Sequence, residues 1–408
     1  MITDKQHIDH VLSRGVEAVL PTRDALAEML ASGKRIRLYC GFDPTAPSLH
    51  IGHALQLRKL REFQDLGHEV IMLVGSFTAM IGDPTDKGAA RTPLSAEQVM
   101  ENAKTWKKMA SKFLRFHGEN KAVVMHNHRW LGKLNLGDVV NLASNFTVQQ
   151  MMERDMFQKR QKEGKPIYLH EFIYPLMQGY DSVVMDVDLE IGGNDQLFNM
   201  LAGRTLMKAM KQKEKFVLAL KLLTNDEGKK MSKTEGGFIA IDDVPEDMYG
   251  KIMAMNDGMI VPYFEIVTDV PAEEITKIRE ELSGGKNPRD VKMALAKTVV
   301  AMFHGPRAAS KAEKHFVGVI QNKEAPDEMP IFNTALQQGN ALVLGEGAMT
   351  LVDVLVKAKL AVSNGEARRL IEQGGVTLDD VKIDDAFRDM RNVKGVLRRG
   401  KRQFVRLV

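Results

Sequence analysis

Residues 37–66 read RLYCGFDPTAPSLHIGHALQLRKLREFQDL, and their patterning decides the fold. The first six form a short, mainly apolar run closed by Asp43-Pro44, which predicts a buried strand over 37–42. The last seventeen place Ile51, Leu55, Leu60, Phe63 and Leu66 on one broad apolar face with Gly67 as the stop, which predicts a helix over 50–66. Further strands are expected over 69–75, 122–126, 183–191 and 216–222. Helices are expected over 95–116, from the third strand to Gly164, and over 195–211. Ser95 followed three residues later by Gln98 is a capping-box pattern. Strand, helix and strand repeated at this spacing predict an α/β fold with a doubly wound, Rossmann-like parallel sheet.

After about Asp242 the strand signal fades. Residues 245–256 and 290–316 read as helices, the second opened by Asn287-Pro288. Residues 321–347, rich in Pro, Gly and Asn, read as a break, with 326–348 taken as a linker. A compact α+β module resumes over 349–408, with two short helices at 350–359 and 363–373 followed by short strands.

The chain has 408 residues, 44% hydrophobic and 27% charged, the balance of a soluble protein of two or three domains rather than a disordered or fibrous one. Its longest apolar runs, such as 70–74, are too short to cross a bilayer. Asp4 and Asp9 argue against a transit peptide. The lone cysteine, Cys40, excludes an intramolecular disulfide and a cysteine-cluster metal site, and fits a cytoplasmic chain. The net charge of +4 conceals a segregation: residues 349–408 carry a net +5 and the rest a net −1.

Two short motifs carry chemistry. His50-Ile51-Gly52-His53 sits where a strand hands over to a helix. Two imidazoles three residues apart in a first helical turn, beside the N–H groups and positive dipole end of a helix start and with Gly52 between them, suit a nucleotide phosphate chain. Lys229-Lys230-Met231-Ser232-Lys233-Thr234 is a basic, hydroxyl-bearing loop able to neutralise a pyrophosphate leaving group. Taken singly, the first is also what an ordinary helix start shows, and the second what a solvated loop shows. Together, in this order and placement, they resemble the HIGH and KMSKS signatures of class I aminoacyl-tRNA synthetases, with Thr234 replacing the final serine.

The chain resembles the bacterial tyrosyl-tRNA synthetases over essentially its full length, in the KMSKS-type subgroup. The resemblance rests on residues 38–53 (LYCGFDPTAPSLHIGH), 74–84 (VGSFTAMIGDP), 171–181 (EFIYPLMQGYD), 191–196 (IGGNDQ) and the KMSKT loop. It implies a tyrosine–tRNA ligase that activates L-tyrosine with ATP, Mg²⁺ arriving on the nucleotide and no tightly bound protein metal. The tyrosyl group is then passed to the terminal adenosine of tRNA(Tyr). Tyr39 and Asp181 match the pair that holds the substrate phenol, and tyrosyl-tRNA synthetase is itself the standard worked case of rejecting phenylalanine without editing. Asp83, Tyr174, Gln178 and Gln196 match the tyrosine site. Cys40, Gly41, Asp43, Gly52, Gly193 and Asp195 match the adenylate site. His50, His53, Lys87, Arg91, Lys230, Lys233 and Thr234 match the groups that meet the ATP phosphates.

The resemblance further implies a catalytic domain over 1–240 with an inserted dimerisation segment, and a helical anticodon-arm-binding domain over 241–325. A homodimer is expected, with 146–163 as part of its interface, and no membrane partner. Residues 349–408 resemble an S4 RNA-binding domain, carried by 363–376 (SNGEARRLIEQGGV). Arg368, Arg369, Arg398, Arg399, Lys401 and Arg402 are its expected RNA contacts, through phosphate and shape rather than base stacking. Two alternatives stay open here. A tryptophanyl-tRNA synthetase is disfavoured by Tyr39 with Asp181 and by the S4-like end. A non-catalytic synthetase-like RNA-binding protein is disfavoured by the intact motifs.

Overall fold

The computed structural model describes residues 1–86, 94–223, 239–321, 329–334, 349–400 and 403–408. They form two compact units, Met1–Phe303 and His304–Val408.

The first unit is built on a six-stranded sheet: β1 (Val16–Leu20), β2 (Arg37–Phe42), β3 (Glu69–Val74), β4 (Val123–His126), β5 (Leu189–Gly193) and β6 (Phe216–Leu220). Their spatial order is β1-β6-β5-β2-β3-β4. Strands β2 to β6 run parallel, as the strand–helix alternation predicts. The strand β1 was not legible in the sequence and adds to β6 antiparallel at the edge. Both β3 and β6 are buried along almost their whole length, which is why they read as continuous apolar runs rather than alternating ones. From β2 the chain proceeds to β3 and β4 on one side, whereas β5 and β6 lie on the other. The β2–β5 boundary is therefore the switch point, the place where folds of this kind bind ligands beyond the carboxyl ends of the strands.

Several expected elements are corrected by the structure. Residues 183–185 are not strand: they end the helix Leu169–Met185, which stops at Asp186 in a left-handed conformation before β5 begins at Leu189. Val183 and Val184 suggested a strand, but packing against the helix Leu197–Lys211 overrides that local preference. The single long helix expected after β4 is four short ones, His128–Leu131, Leu136–Ala143, Val148–Met152 and Asp155–Lys162. Asn135 and Thr147 each restart the chain with a capping box. The helix expected over 95–116 breaks into Ala96–Ala103 and Trp106–Ala110, its Ser95–Gln98 cap present as read. Helices Pro288–His304 and Pro306–His315 replace the one expected over 290–316, because Gly305 takes a positive φ of 88° and Pro306 cannot continue the ladder.

Helix Ile51–Asp65 connects β2 to β3 and buries Leu57, Leu60 and Phe63 completely. Its Arg58 donates to the Thr268 carbonyl at 2.7 Å and to Asp269 Oδ1 at 2.5 Å, so the helical segment that follows the sheet is anchored on the same helix.

The second unit carries a five-stranded sheet, in the order β7-β11-β10-β8-β9: β7 (Ile331–Phe332), β8 (Val376–Leu378), β9 (Val381–Lys382), β10 (Gly395–Arg399) and β11 (Gln403–Leu407). Helices Leu351–Lys357 and Asn364–Glu372 lie close to the expected positions and share one core with it, including Leu355, Ile371, Val376 and Leu397. Residues 331 and 332 fall within the stretch read as linker, yet pair parallel with β11 at the sheet edge. Two residues carry too little periodicity to announce a strand; the partner defines it.

Candidate active site

The carboxyl end of β2 leads into the His50 helix start. His50 is the N-cap of Ile51–Asp65, and its Nδ1 accepts from the Gly52 N–H at 3.1 Å. His53 Nδ1 in turn accepts from the His50 N–H at 3.1 Å, a reciprocal cap made by imidazoles. The rings stack at 3.8 Å between centroids. With Nδ1 accepting, each ring carries its proton on Nε2, a donor suited to phosphate oxygens. The chain returns beside this motif: Ile51 N–H donates to the Ile239 carbonyl and Ile241 N–H to the Leu49 carbonyl, both at 2.9 Å. Ile239 comes five residues after Thr234, so the described chain that resumes beyond the KMSKT loop is backbone-paired to the first motif. Lys230, Lys233 and Thr234 themselves lie outside the described residues, as do Lys87 and Arg91, which follow Asp83.

Helix Leu169–Met185 supplies the opposite wall. Tyr174, Gln178 and Asp181 are spaced four and three residues apart and share one face. Asp181 is 2% exposed. Its carboxylate accepts from Trp130 Nε1 at 2.7 Å and Asn127 Nδ2 at 3.1 Å. Burial pushes the Asp181 carboxyl well above the ordinary range, against the pull of these two donors. Asn127 is itself fixed, because its Oδ1 accepts from the Phe77 N–H at 2.8 Å and its Nδ2 also donates to Thr78 Oγ1 at 3.1 Å. Sequence reading missed Asn127 and Trp130. They sit just after β4, where the expected long helix hid the turn that aims them.

Tyr39, in the middle of β2, is fully buried and lies opposite Glu190 of β5 across the switch point. Its hydroxyl meets Ser182 Oγ at 2.9 Å and approaches the Gln178 carbonyl at 3.5 Å. Burial raises its pKa well above the usual phenol range, with Glu190 and Asp181 adding to the shift, so it stays a neutral hydroxyl. Tyr174 donates to Asp43 Oδ2 at 2.8 Å, and Thr78 Oγ1 donates to Asp43 Oδ1 at 2.7 Å. Asp43 therefore joins the end of β2 to the tyrosine-site helix. Gln196 Nε2 donates to Asp83 Oδ2 at 2.6 Å, while Asp83 Oδ1 caps Thr85. Behind Thr85 lies the buried guanidinium of Arg154, which donates to Thr85 Oγ1 at 2.9 Å and stacks over Phe157 and Phe198.

Gly193 closes β5, and Asp195 is half-buried in the 3₁₀ turn Asn194–Gln196 that follows. Cys40 and Gly41 lie in β2, and burial raises the Cys40 thiol well above its usual range. These hydrogen bonds join Tyr39 to Gln178, join Tyr174 and Asp43 to Asp181 through Thr78 and Asn127, and join Asp83 to Gln196. Two charged residues were not assigned from sequence: Glu190, 2% exposed, and Lys215, fully buried, form an ion pair. The signal for Glu190 was present as a single acid inside an otherwise apolar strand.

In the second unit, Arg368 and Arg369 are exposed, and Arg368 stacks over the exposed Phe387 ring at 5.4 Å. Arg399 is committed within the unit, donating to Glu366 Oε1 at 2.6 Å and to the Leu360 carbonyl. Arg398 donates to the Gly400 carbonyl at 2.7 Å and stacks on Phe404. Lys401 and Arg402 lie outside the described residues.

Residues 31–321 match the family described as tRNA synthetases class I (W and Y), and residues 332–407 match the tyrosine–tRNA ligase SYY-like C-terminal domain. The chain is 44% identical to the tyrosine–tRNA ligase of Mannheimia succiniciproducens, covering 97% of both chains. It is 42% identical to that of Haemophilus influenzae, covering 100% of this chain and 98% of the relative. Among solved structures, a C-terminally truncated mitochondrial tyrosyl-tRNA synthetase of Coccidioides posadasii superposes with a TM-score of 0.60 at 27% identity, over 76% of this chain and 92% of the other.

Proposed function

The chain belongs to the class I tRNA synthetases of the W and Y family, within its tyrosine–tRNA ligases, and on that premise we propose how its residues divide the reaction. The enzyme joins tyrosine to tRNA at the expense of ATP. The observation that carries the specificity is the buried Tyr39–Asp181 wall, in which Trp130 and Asn127 hold the carboxylate and Ser182 holds the phenol. A substrate hydroxyl completes this wall. Phenylalanine leaves its polar groups unpaired in a water-poor site.

Activation needs no general base, because the tyrosine carboxylate is already the nucleophile at the α-phosphate. Rate then comes from positioning and from charge placed where pyrophosphate departs. His50 and His53 are assigned the phosphate chain, together with Lys87, Arg91, Lys230, Lys233 and Thr234. Asp83, Tyr174, Gln178 and Gln196 are assigned the amino-acid end, and Cys40, Gly41, Asp43, Gly52, Gly193 and Asp195 the adenylate side. Mg²⁺ enters with ATP. The tyrosyl group passes in the second step to the terminal adenosine of tRNA(Tyr), with 241–325 assigned to the anticodon arm.

For RNA contact, Arg368 and Arg369 are favoured over Arg399, whose guanidinium already holds Glu366. A cytoplasmic homodimer is part of the same reading. It is supported by Leu136, Val140, Val148 and Leu169, which stand 80%, 58%, 68% and 82% exposed along the segment that follows β4.

Amino-acid-dependent exchange of pyrophosphate into ATP tests the reading. Exchange is expected with tyrosine and not with tryptophan, and Tyr39→Phe is expected to narrow the preference for tyrosine over phenylalanine by about ten-fold. Exchange driven equally by tryptophan, or an unchanged ratio in the variant, would overturn it.

A further inference from the structure

Glu190 and Lys215 form a buried ion pair beside the site that the proposed chemistry leaves without a task. Glu190 lies in β5 directly across from Tyr39. Lys215 enters from the residue before β6, and its ammonium meets Glu190 Oε2 and, at 3.0 Å, Ser182 Oγ. The approach is close: a Cβ on Gly203 would collide with Lys215 Nζ and lie 2.9 Å from Ser182 Oγ. The helix Leu197–Lys211 thus has its one side-chain-free residue where the ammonium must pass.

The other carboxylate oxygen, Glu190 Oε1, accepts from Gln178 Nε2 at 3.0 Å. This acceptor takes the N–H₂ end of the Gln178 amide and leaves the amide's carbonyl end for another partner. Ser182 carries the same influence to Tyr39. Its Oγ receives the Lys215 ammonium, lies 3.4 Å from Glu190 Oε2, and meets the Tyr39 hydroxyl at 2.9 Å.

Resting on the tyrosine-ligase reading, we propose that Glu190 and Lys215 are positioning residues for amino-acid recognition. Glu190, held in place by its pairing with Lys215, orients the Gln178 amide so that its carbonyl oxygen faces the substrate ammonium. Through Ser182 the pair also anchors the Tyr39 hydroxyl that reads the phenol. Neither residue touches substrate. Both act by fixing side chains that do.

Two double variants separate positioning from mere packing. Glu190→Leu/Lys215→Met replaces the pair by apolar groups of similar size, an exchange that folded proteins tolerate, and removes the acceptor for Gln178. Glu190→Gln/Lys215→Met is also uncharged but keeps a carbonyl that can accept from Gln178. In tyrosine-dependent pyrophosphate exchange, the Leu/Met enzyme is expected to show a tyrosine KM raised about ten-fold, with kcat and the ATP KM within about three-fold of the parent. The Gln/Met enzyme is expected to return the tyrosine KM to within about three-fold. An unmoved tyrosine KM in the Leu/Met enzyme, or an equal rise in both variants, overturns the proposal. If the Leu/Met chain does not fold, Ser182→Ala decides: it leaves the ion pair in place and cuts the link to Tyr39. It is expected to narrow the tyrosine-to-phenylalanine ratio, and an unchanged ratio overturns the proposal. A parent enzyme without tyrosine-dependent exchange would defeat the ligase reading itself, whereas a competent parent with unmoved variants defeats only this inference.

Discussion

At the scale of single residues, the histidines do two jobs with one ring each. Nδ1 of His50 and of His53 caps the helix, and that commitment leaves Nε2 as the nitrogen that carries the proton of the neutral ring. His53→Ala is therefore expected to slow tyrosyl-adenylate formation by about ten- to a hundred-fold, the loss of a donor to a charge-developing phosphate. Tyrosine affinity, measured by equilibrium titration, should stay within about two-fold, since the tyrosine wall lies on other elements. An equal loss of tyrosine affinity would contradict the assignment. Asp181 teaches the complementary lesson. Its place in the EFIYPLMQGYD block was legible in the sequence, but its donors Asn127 and Trp130 lie some fifty positions away and met it only through the packing of β4 against β3.

At the scale of elements, the helices Leu169–Met185 and Leu197–Lys211 make the most extensive helix–helix contact among the described residues, and glycines allow a close approach. A Cβ on Gly179 would lie 2.9 Å from Leu206 Cδ1 and 3.1 Å from the Ala202 carbonyl carbon and the Gly203 nitrogen. Gly179→Ala must push backbone as well as side chain, and is expected to destabilise by about 1–3 kcal/mol. A fall in the urea midpoint at constant slope would show it, and an unmoved midpoint would mean the two helices yield without cost. The same pair explains why 183–185 were misread. Val183 and Val184 carry a strand-like local preference, and tertiary packing makes the segment helical: Val183 packs against Leu206 and Met207 of the partner helix and Met185 against the sheet. The four helices after β4 failed for a different reason: Asn135 and Thr147 are cap residues, but an apolar periodicity running past them looked continuous.

At the scale of the whole molecule, one buried group links pH to stability. His68, completely buried behind β2, accepts from the Ile36 N–H at 3.4 Å. Burial lowers its pKa from 6.5 to about 4, with the N-terminal amine and Arg35 contributing. The unfolded chain thus binds this proton below about pH 6.5 while the folded chain resists until about pH 4. The stability this residue confers is full above 6.5 and is lost as pH falls toward 4. The thermal midpoint of the parent should therefore fall more steeply across that window than that of His68→Gln. Parallel slopes would show that His68 does not titrate on unfolding.

The amino-acid sequence by itself determined the parallel α/β sheet and marked the two short motifs, the first of which opens the helix after β2. It also marked the tyrosine-site blocks and the basic C-terminal module. These rest on local signals: apolar period, turn residues, and short runs whose chemistry is contiguous in the chain. The tertiary structure alone decided what closes around them. It added the antiparallel edge strand β1 and the two-residue strand β7, neither of which has enough length to be read without its partner. It paired Arg399 with Glu366, leaving Arg368 at the surface. It also brought Gln178 and Ser182 of one helix, Glu190 of β5 and Lys215 just before β6 into one hydrogen-bonded network. A charged residue in an apolar strand is visible in a sequence, but which opposite charge relieves its burial depends on which strands lie side by side.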